Sequence, residues 1–227
     1  MVHSKIIESH FNSIENYVYM AEKVVPFNKE LHDKVIGELS IWAPEEFTFV
    51  DLGLGGGEID EKILDKFPKS RFIGVDISEK MLSLARKRLA RFGERVHLEK
   101  GDFVYIDFGM ENDFVISELA IHNSTDDEKA KLFQNISDSL TDKGIFINAD
   151  FIAGEDPIEN ERDKKWYLNF LQENLQGEEL EAWVRHAFYE DNPSKLSDQY
   201  KLLEEAGFKK VEVTWKKMNL AVYVAYK

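Results

Sequence analysis

The sequence predicts an α/β domain: a seven-stranded, mostly parallel β-sheet with helices on both faces and one antiparallel strand in a C-terminal hairpin. Two observations predict it. Short runs rich in Val, Ile and Phe alternate with segments of helical length across residues 47–151, which is typical of parallel strands joined by crossover helices. Two further apolar runs close the chain with little more than Lys217 and Met218 between them. So short a connection predicts a hairpin.

The individual elements follow from local patterns. The predicted strands are short runs bounded by turn residues, at 47–52, 71–77, 95–101, 113–118, 144–151, 209–215 and 219–227. The predicted helices repeat apolar residues at three and four positions, at 58–67, 78–93, 125–140 and 194–207. Ser78 precedes the second helix as an N-cap, and Gly93 follows it as a stop.

Two segments lie outside this alternation, within a single predicted domain of residues 1–227. One is an N-terminal helical cap over residues 1–40, and the other is an aromatic-rich helical insertion over residues 156–192. Ligands of open α/β sheets bind beyond the carboxyl ends of the strands, where inserted segments can cover them. The two segments are therefore either lids over a site or packing helices.

Composition narrows the classes of function. The chain has 227 residues, 43% of them hydrophobic, and no cysteine, which excludes disulfides and thiolate chemistry and fits a reducing cytosol. The 29 Lys and Arg stand against 43 Asp and Glu, and a net charge of −14 disfavours a nucleic-acid partner. Residues 1–17 lack the apolar run of a signal peptide or membrane span. We expect a cytoplasmic protein without a membrane partner, either a monomer or a homodimer.

The stretch FVDLGLGGGE, residues 49–58, places four glycines directly after the first strand. Such glycines let the backbone approach a ligand, and the following helix offers its N-terminal N–H groups. A dinucleotide fingerprint beginning at Gly53 would need glycine or alanine at position 58, where Glu58 stands. An NAD-dependent oxidoreductase is therefore disfavoured.

The same stretch has the form D-x-G-x-G-x-G and resembles the first motif of class I S-adenosylmethionine-dependent methyltransferases. Four further motifs of that family follow in order, in FIGVDIS, EKGDF, FVISELAIHN and LTDKGIFINADF, the last with its usual Pro-Gly-Gly turn reduced to Asp142-Lys143-Gly144. The resemblance covers residues 47–151 and continues through EEAGFKKVEV. It implies a Rossmann-like fold, S-adenosyl-L-methionine as cofactor and S-adenosyl-L-homocysteine as product.

The resemblance also implies the cofactor contacts. Asp51 would lie near the methionine amino group, Asp76 would accept the two ribose hydroxyls, and Asp102 would face the adenine amino group. The full set of implied cofactor-binding residues is Asp51, Gly53, Leu54, Gly55, Gly57, Asp76, Ile77, Met81, Gly101, Asp102, Phe103, Ser117, Glu118, Leu119 and Tyr17.

Methyl transfer is an in-line displacement, so an enzyme mainly has to position and desolvate the reactants. A base is needed only if the nucleophile must lose a proton, and His122, directly after the fourth strand, is the candidate catalytic residue. Alternatively, His122 is a positioning residue that hydrogen-bonds a backbone carbonyl. The predicted substrate-binding residues are His122, Tyr19, Trp166, Phe170 and Arg185. The six histidines show no ligand spacing, so no metal is expected.

Three functions remain open from the sequence. A methyltransferase acting on a small molecule is the first. The second is a tRNA wobble-uridine carboxymethyltransferase that uses carboxy-S-adenosylmethionine, because the C-terminal third resembles that family and Arg185 lies near the position of its carboxylate-binding arginine. The third is a module that binds S-adenosylmethionine without chemistry.

Overall fold

The computed structural model describes the backbone from Tyr17 to Lys227 and the side chains from Met20 onward. The strands are β1 (Thr48–Leu52), β2 (Arg71–Asp76), β3 (Val96–Lys100), β4 (Asn112–Glu118), β5 (Leu140–Phe151), β6 (Lys210–Lys217) and β7 (Leu220–Tyr226). The α-helices are α1 (Tyr17–Val24), α2 (Asn28–Trp42), α3 (Glu58–Lys66), α4 (Glu79–Leu89), α5 (Asp126–Ser139), α6 (Pro157–Asn174), α7 (Gly177–Arg185) and α8 (Leu196–Glu205).

The seven strands form one sheet in the order β3-β2-β1-β4-β5-β7-β6. Strands β1 to β5 pair in parallel, and β7 runs antiparallel to both β5 and β6. The predicted hairpin is confirmed, with Met218 in the left-handed region at φ 51° in its turn. The carboxyl ends of β1, β2 and β4 therefore meet at one edge, where glycine-rich and acidic residues follow the strands.

Helices cover both faces of the sheet, as predicted. On one face α2, α3, α4 and α6 bury an apolar cluster that includes Leu31, Ile63, Leu82 and Leu171. On the other face α5 and α8 bury a second cluster around Phe133, Phe146 and Leu203. None of the helices in the described part of the chain has both the length and the apolar character required to cross a membrane.

Two predicted boundaries were wrong. The turn expected at residues 142–144 lies inside β5, which begins at Leu140. Asn112 pairs with Leu140 and Phe114 with Ile145, so the intervening residues of β5 bulge out of register and remain in the strand. The helix expected over 78–93 is α-helical only to Leu89 and then continues in 3₁₀ form; Gly93, with a non-helical φ of 58° and ψ of −129°, interrupts that segment where the sequence predicted a stop.

The insertion after β5 is helical, as predicted. Helix α6 begins at Pro157, and the Asp156 carboxylate accepts hydrogen bonds from the first N–H groups of the helix. Helix α7 follows and passes into a π-helical turn over His186–Glu190. The Tyr167 hydroxyl of α6 donates to the Val24 carbonyl at 2.9 Å. The insertion is therefore packed against the helix α1 that lies in the predicted cap, while Ile7, Phe11 and Ile14 of that cap lie outside the described residues.

Candidate active site

The loop between β1 and α3 brings backbone, not side chains, to the edge of the sheet. Gly53 and Gly57 adopt φ of 82° and 74°, a region that favours glycine. A Cβ on Gly53 would lie 2.4 Å from that of Ala120, in the turn after β4. The N–H of Gly53 also donates to the Val75 carbonyl of β2 at 2.8 Å. The loop therefore fits tightly between β2 and β4.

Asp76, the last residue of β2, holds this loop. One carboxylate oxygen accepts the Gly55 N–H at 2.9 Å, and the other accepts the Ser78 N–H at 2.7 Å. The side chain is buried, and burial raises its pKa to about 6, although the two N–H donors favour the ionised form. Because a carboxylate accepts about four hydrogen bonds, it retains capacity for two hydroxyl donors.

A second group of acids lies beneath the loop. Asp51 of β1 and Asp60 of α3 are buried, and their carboxyl groups interact electrostatically. Burial, with the negative charge of nearby Glu118, raises the pKa of Asp60 to about 7. Burial and the charge of Asp60 raise the pKa of Asp51. The buried oxygens Asp51 Oδ1 and Glu118 Oε1 lack a hydrogen-bond partner. They are acceptors for a cationic donor such as an ammonium group.

Glu118, the last residue of β4, connects this acidic group to α2. Its carboxylate oxygen Oε2 lies 3.0 Å from His32 Nε2, and His32 Nδ1 lies 3.0 Å from Lys62 Nζ. A cavity of about 40 Å³ opens here; its described lining combines the glycine loop with α1, α2 and the end of β4, including Ala21, Asn28, His32, Asp51, Gly53, Leu54, Gly55, Glu118 and Leu119. The close backbone approach and the open acceptor oxygens fit the methionine end of S-adenosylmethionine.

Other predicted cofactor residues follow β3 or lie in β4, and they are not among the described residues that line this cavity. The Gly101 N–H donates to the Asp76 carbonyl, and Phe103 lies 3.7 Å from where a Gly53 Cβ would be. Asp102 accepts the Val104 N–H at 3.1 Å, so its carboxylate stabilises the turn in which Asp102 itself lies. Ser117 is fully buried and its hydroxyl donates to the Leu52 carbonyl, so that side chain joins β1 to β4.

For a few other predicted cofactor residues, the structure shows only where they lie along the chain and how they pack. Met81 is buried in the first turn of α4, where its N–H donates to the Ser78 hydroxyl, and Ile77 lies just before that helix. Gly57 begins α3. The side chains of Tyr17 and Tyr19 lie outside the described residues, so their contacts stay predictions.

A second cavity of about 40 Å³ adjoins the first, because the two share Ala21 and Leu119. Its walls are apolar except at one end; the described lining is Met20, Ala21, Val24, Val25, Leu119, His122, Phe151, Tyr167, Trp183, His186, Ala187 and Asp191. We call this space the acceptor pocket. Helix α1 and the insertion enclose it, which is the arrangement the sequence predicts for two lids.

His122 lies at the polar end of the acceptor pocket and is held by Asp150 of β5. Asp150 accepts the His122 backbone N–H at 2.8 Å, and its other oxygen lies 2.5 Å from Nδ1. The Asn192 N–H donates to the His122 carbonyl at 2.8 Å. This geometry places a proton on Nδ1, so the lone pair is on Nε2, which lies 3.3 Å from the Asn123 side-chain nitrogen and accepts its N–H. Burial works to lower the pKa of His122, but the negative charges of Asp150 and Asp191 outweigh it and the pKa is raised.

The insertion contributes a second imidazole to the same end. Asp191 lies between the two rings, with Oδ2 3.7 Å from His122 Nε2 and Oδ1 3.5 Å from His186 Nε2. His186 Nδ1 in turn lies 3.2 Å from Glu190 Oε2. Sequence reasoning missed Asp150, Asp191 and His186. Asp150 could have been found from its place at the end of β5, next to β4, whereas nothing local singles out the other two.

Three predicted substrate residues do not reach the acceptor pocket. Trp166 stacks on Phe27 with ring centroids 5.8 Å apart, and Phe170 stacks on Trp166. Arg185 is exposed and pairs with Glu190 at 3.3 Å. The residues of α6 and α7 that line the pocket are instead Tyr167 and Trp183. Among the described residues, no group of three or more His, Asp or Glu side chains is arranged to hold a metal ion.

Comparisons with known proteins agree with this geometry. A family model described as a methyltransferase domain matches residues 49–144. A carboxy-S-adenosyl-L-methionine synthase from Wolinella succinogenes is 30% identical over 192 residues, covering 81% of this chain and 78% of that protein. The synthase of the same name from Nautilia profundicola is 26% identical, and the match covers 100% of this chain and 98% of that protein.

Solved structures show the same fold. The magnesium protoporphyrin IX methyltransferase of Synechocystis, solved with bound S-adenosylhomocysteine, superposes with a TM-score of 0.69 at 17% identity over 99% of both chains. Human N-acetylserotonin methyltransferase superposes with a TM-score of 0.61 at 21% identity, over 86% of this chain and 51% of that one. The protein is an enzyme of the methyltransferase type with S-adenosyl-L-methionine as cofactor. It belongs to the class I S-adenosylmethionine-dependent methyltransferases, in the family that contains the carboxy-S-adenosyl-L-methionine synthases.

Proposed function

We propose that the enzyme transfers the methyl group of S-adenosylmethionine to a small molecule whose reacting atom carries a proton, with His122 as the base. One observation carries the proposal: a histidine fixed by an aspartate at the end of an enclosed pocket that adjoins the glycine-loop cavity. S-adenosylmethionine supplies a methyl group activated on a sulfonium. The enzyme's own residues must bind it, orient the acceptor and exclude water.

Binding of the cofactor falls to the acids of the loop. Asp76 accepts the ribose hydroxyls, and Asp51 and Glu118 accept the methionine ammonium with their open oxygens. Glycine-loop N–H groups approach the methionine carboxylate. The sulfur then faces the acceptor pocket across Leu119, because that residue lines both cavities.

His122 removes the acceptor's proton. Asp150 binds both the backbone N–H and Nδ1, so the ring is fixed at the wall of the pocket, and an acceptor must displace the Asn123 side-chain N–H from Nε2. A carboxylate in that position also stabilises the imidazolium that forms when Nε2 takes the proton. The raised pKa of His122 makes it a stronger base than an ordinary histidine.

Water is excluded by the two helical segments around the pocket. Met20 and Val24 of α1 face Tyr167 and Trp183 of the insertion across it. The Tyr167 hydroxyl donates to the Val24 carbonyl, and this hydrogen bond links the two segments. A dry pocket strengthens each electrostatic contact inside it and prevents side reactions of the sulfonium.

A second candidate function is synthesis of carboxy-S-adenosylmethionine, which the names of the relatives and their near-complete coverage favour. That product carries a carboxylate on the group attached to sulfur. Such a carboxylate would occupy the acceptor pocket, whose described lining contains no Lys or Arg. Arg185, which the sequence suggested for this role, is exposed and paired with Glu190. The charges of the pocket therefore favour methyl transfer.

One mass-spectrometric experiment separates the two candidates. The enzyme is incubated with trideuteromethyl S-adenosylmethionine and a small-molecule extract, and the products are measured. Methyl transfer predicts a small molecule carrying the labelled methyl and an equal amount of S-adenosylhomocysteine. Accumulation of carboxy-S-adenosylmethionine would support the second candidate, and neither product would contradict both.

A variant pair tests the base. His122→Gln should abolish labelled product while S-adenosylhomocysteine still binds, because the ring lies beyond the glycine-loop cavity. His97→Gln is the matched control, since the His97 side chain is 69% exposed on β3. Equal turnover by the His122 variant and wild type would reject the assigned role.

A further inference from the structure

The polar end of the acceptor pocket is bounded by carboxylates. Asp191 lies in the wall, 3.7 Å from His122 Nε2 and 3.5 Å from His186 Nε2. Asp150 lies behind the first imidazole at 2.5 Å, and Glu190 lies behind the second at 3.2 Å. Each ring therefore has a carboxylate on both sides. No Lys or Arg is among the described residues that line the pocket.

Two cations near this end of the pocket have partners of their own, and a third, Lys164, lines the adjoining cavity. Lys129 of α5 interacts electrostatically with Asp150, but its ammonium donates to the Asn192 carbonyl and the Ser194 hydroxyl and lies 3.8 Å from Asp126. Arg185 is on the surface beside Glu190. The charges of Asp150 and Asp191 face the two imidazoles, with Lys129 at longer range. The surroundings thus favour a cationic ligand group and oppose an anionic one.

A larger cavity of about 300 Å³ gives room for the rest of a ligand. It shares Phe151, Tyr167, Ala187 and Asp191 with the acceptor pocket, and its size is within the range of small-molecule sites. Its remaining lining includes Lys164 and Asp163, and Asp163 pairs with Arg162 at 2.8 Å. The aromatic wall that this cavity shares with the acceptor pocket favours an apolar ligand body next to the charged end.

We propose that the acceptor is an amine that enters as a cation, with its nitrogen held by the Asp191 carboxylate beside His122 and an apolar body against Phe151 and Tyr167. This inference rests on the proposed methyl transfer and names its substrate class. The ammonium gives one proton to His122 Nε2, and the neutral nitrogen then attacks the methyl carbon. The carbon–nitrogen bond forms as the carbon–sulfur bond breaks, and its electron pair stays on sulfur. The product is again an ammonium, which Asp191 can hold.

The test uses three probes of similar shape and different charge: phenethylamine, 2-phenylethanol and 3-phenylpropionate. Each is titrated into the protein saturated with S-adenosylhomocysteine, and the imidazole NMR signals of His122 and His186 report binding; the six histidines of the chain give a spectrum simple enough to assign. We expect phenethylamine to bind at least tenfold more tightly than 3-phenylpropionate, which is about 1.4 kcal/mol. The alcohol should fall between them.

Two variants locate the selectivity. Asp191→Asn keeps the shape of the side chain and should remove the preference for the amine, while Asp198→Asn, which changes an exposed acid of α8 paired with Lys201, should leave it intact. An unchanged preference in Asp191→Asn overturns the assignment. If that variant does not fold, the order of the three probes in the wild type decides.

The outcomes separate this inference from the function on which it rests. Failure of S-adenosylhomocysteine to saturate the protein would contradict the proposed methyl transfer itself. Saturation followed by equal or tighter binding of 3-phenylpropionate would overturn only the amine class and favour a carboxylate-bearing substrate. If S-adenosylhomocysteine saturates the protein but phenethylamine shifts neither imidazole NMR signal, the amine class is also overturned.

Discussion

Replacing Asp76 with asparagine is expected to weaken the binding of S-adenosylhomocysteine at least tenfold at pH 7.5. In the structure one lone pair on each carboxylate oxygen accepts a backbone N–H, from Gly55 and Ser78. In the proposed complex, the remaining capacity accepts the two ribose hydroxyls. A hydrogen bond to a charged group contributes about 1.5 to 3 kcal/mol, so even the loss of one such bond corresponds to roughly tenfold in affinity.

The same residue predicts how affinity depends on pH. Burial raises the pKa of Asp76 to about 6, and only the ionised carboxylate can accept both hydroxyls. Its contribution is present above that pKa and is lost as the pH falls through it. At pH 5 roughly one carboxyl group in ten is ionised, so this contribution to affinity falls about tenfold. The ratio of wild-type to Asp76→Asn affinity should therefore shrink by about tenfold between pH 7.5 and pH 5.

Calorimetric titration at the two pH values measures both effects. Asp107→Asn is a suitable control, because Asp107 is exposed and only accepts the Gly109 N–H at 2.9 Å. Comparing each variant with wild type at the same pH cancels the titration of the other acids near the cofactor. A wild-type affinity for Asp76→Asn, or an affinity ratio that does not change with pH, would refute the reasoning.

Three other substitutions follow from the site. Asp150→Asn should lower the pKa of His122, because the negative charge of Asp150 helps to raise that pKa. An NMR titration that finds no change would contradict the pairing of Asp150 with His122. Gly53→Ala and Gly109→Ala both strain a positive φ, by about 1 to 2 kcal/mol, but only Gly53 also meets a neighbouring side chain, at 2.4 Å. Urea unfolding should therefore show a larger decrease in the free energy of unfolding for Gly53→Ala than for Gly109→Ala. Equal decreases would argue against the tight fit of the loop. Asp60→Asn should stabilise the protein above pH 7 by up to about 4 kcal/mol. The pKa of Asp60 rises from 3.8 to about 7 on folding, so the stability of the wild type falls as the pH rises through that window. Plots of stability against pH for the variant and the wild type that stay parallel from pH 4 to 8 would contradict this.

The sequence predicted where the glycine loop and Asp76 lie in the fold, because local spacing determines those positions; their contacts with the cofactor stay predictions. Glycines after β1 and an acid at the end of β2 lie at fixed places in a parallel sheet, so Gly53 and Asp76 could be assigned without coordinates. The strand order follows from the same alternation. Asp60 could not be recognised, because in the charged run of α3 it resembles an ordinary surface acid of a first helical turn, and only the packing of α3 against β1 buries it.

The acceptor half depends on contacts between distant segments. His122 and Asp150 meet because β4 and β5 are neighbours and the chain turns back after Glu118. On α6 the aromatic side chains predicted to face the ligand were Trp166 and Phe170, yet the buried stripe that reaches the pocket runs through Tyr167. Periodicity gives the spacing of such a stripe, whereas the neighbouring α1 and α2 determine which side of the helix faces the site.

The most direct test of the central claim is a crystal structure of the enzyme with S-adenosylhomocysteine. We expect both ribose hydroxyls to lie within hydrogen-bond distance of the Asp76 carboxylate, and the sulfur to face the acceptor pocket with His122 Nε2 on the far side of the space for the methyl group. A ribose bound away from Asp76, or a sulfur directed away from His122, would contradict this claim.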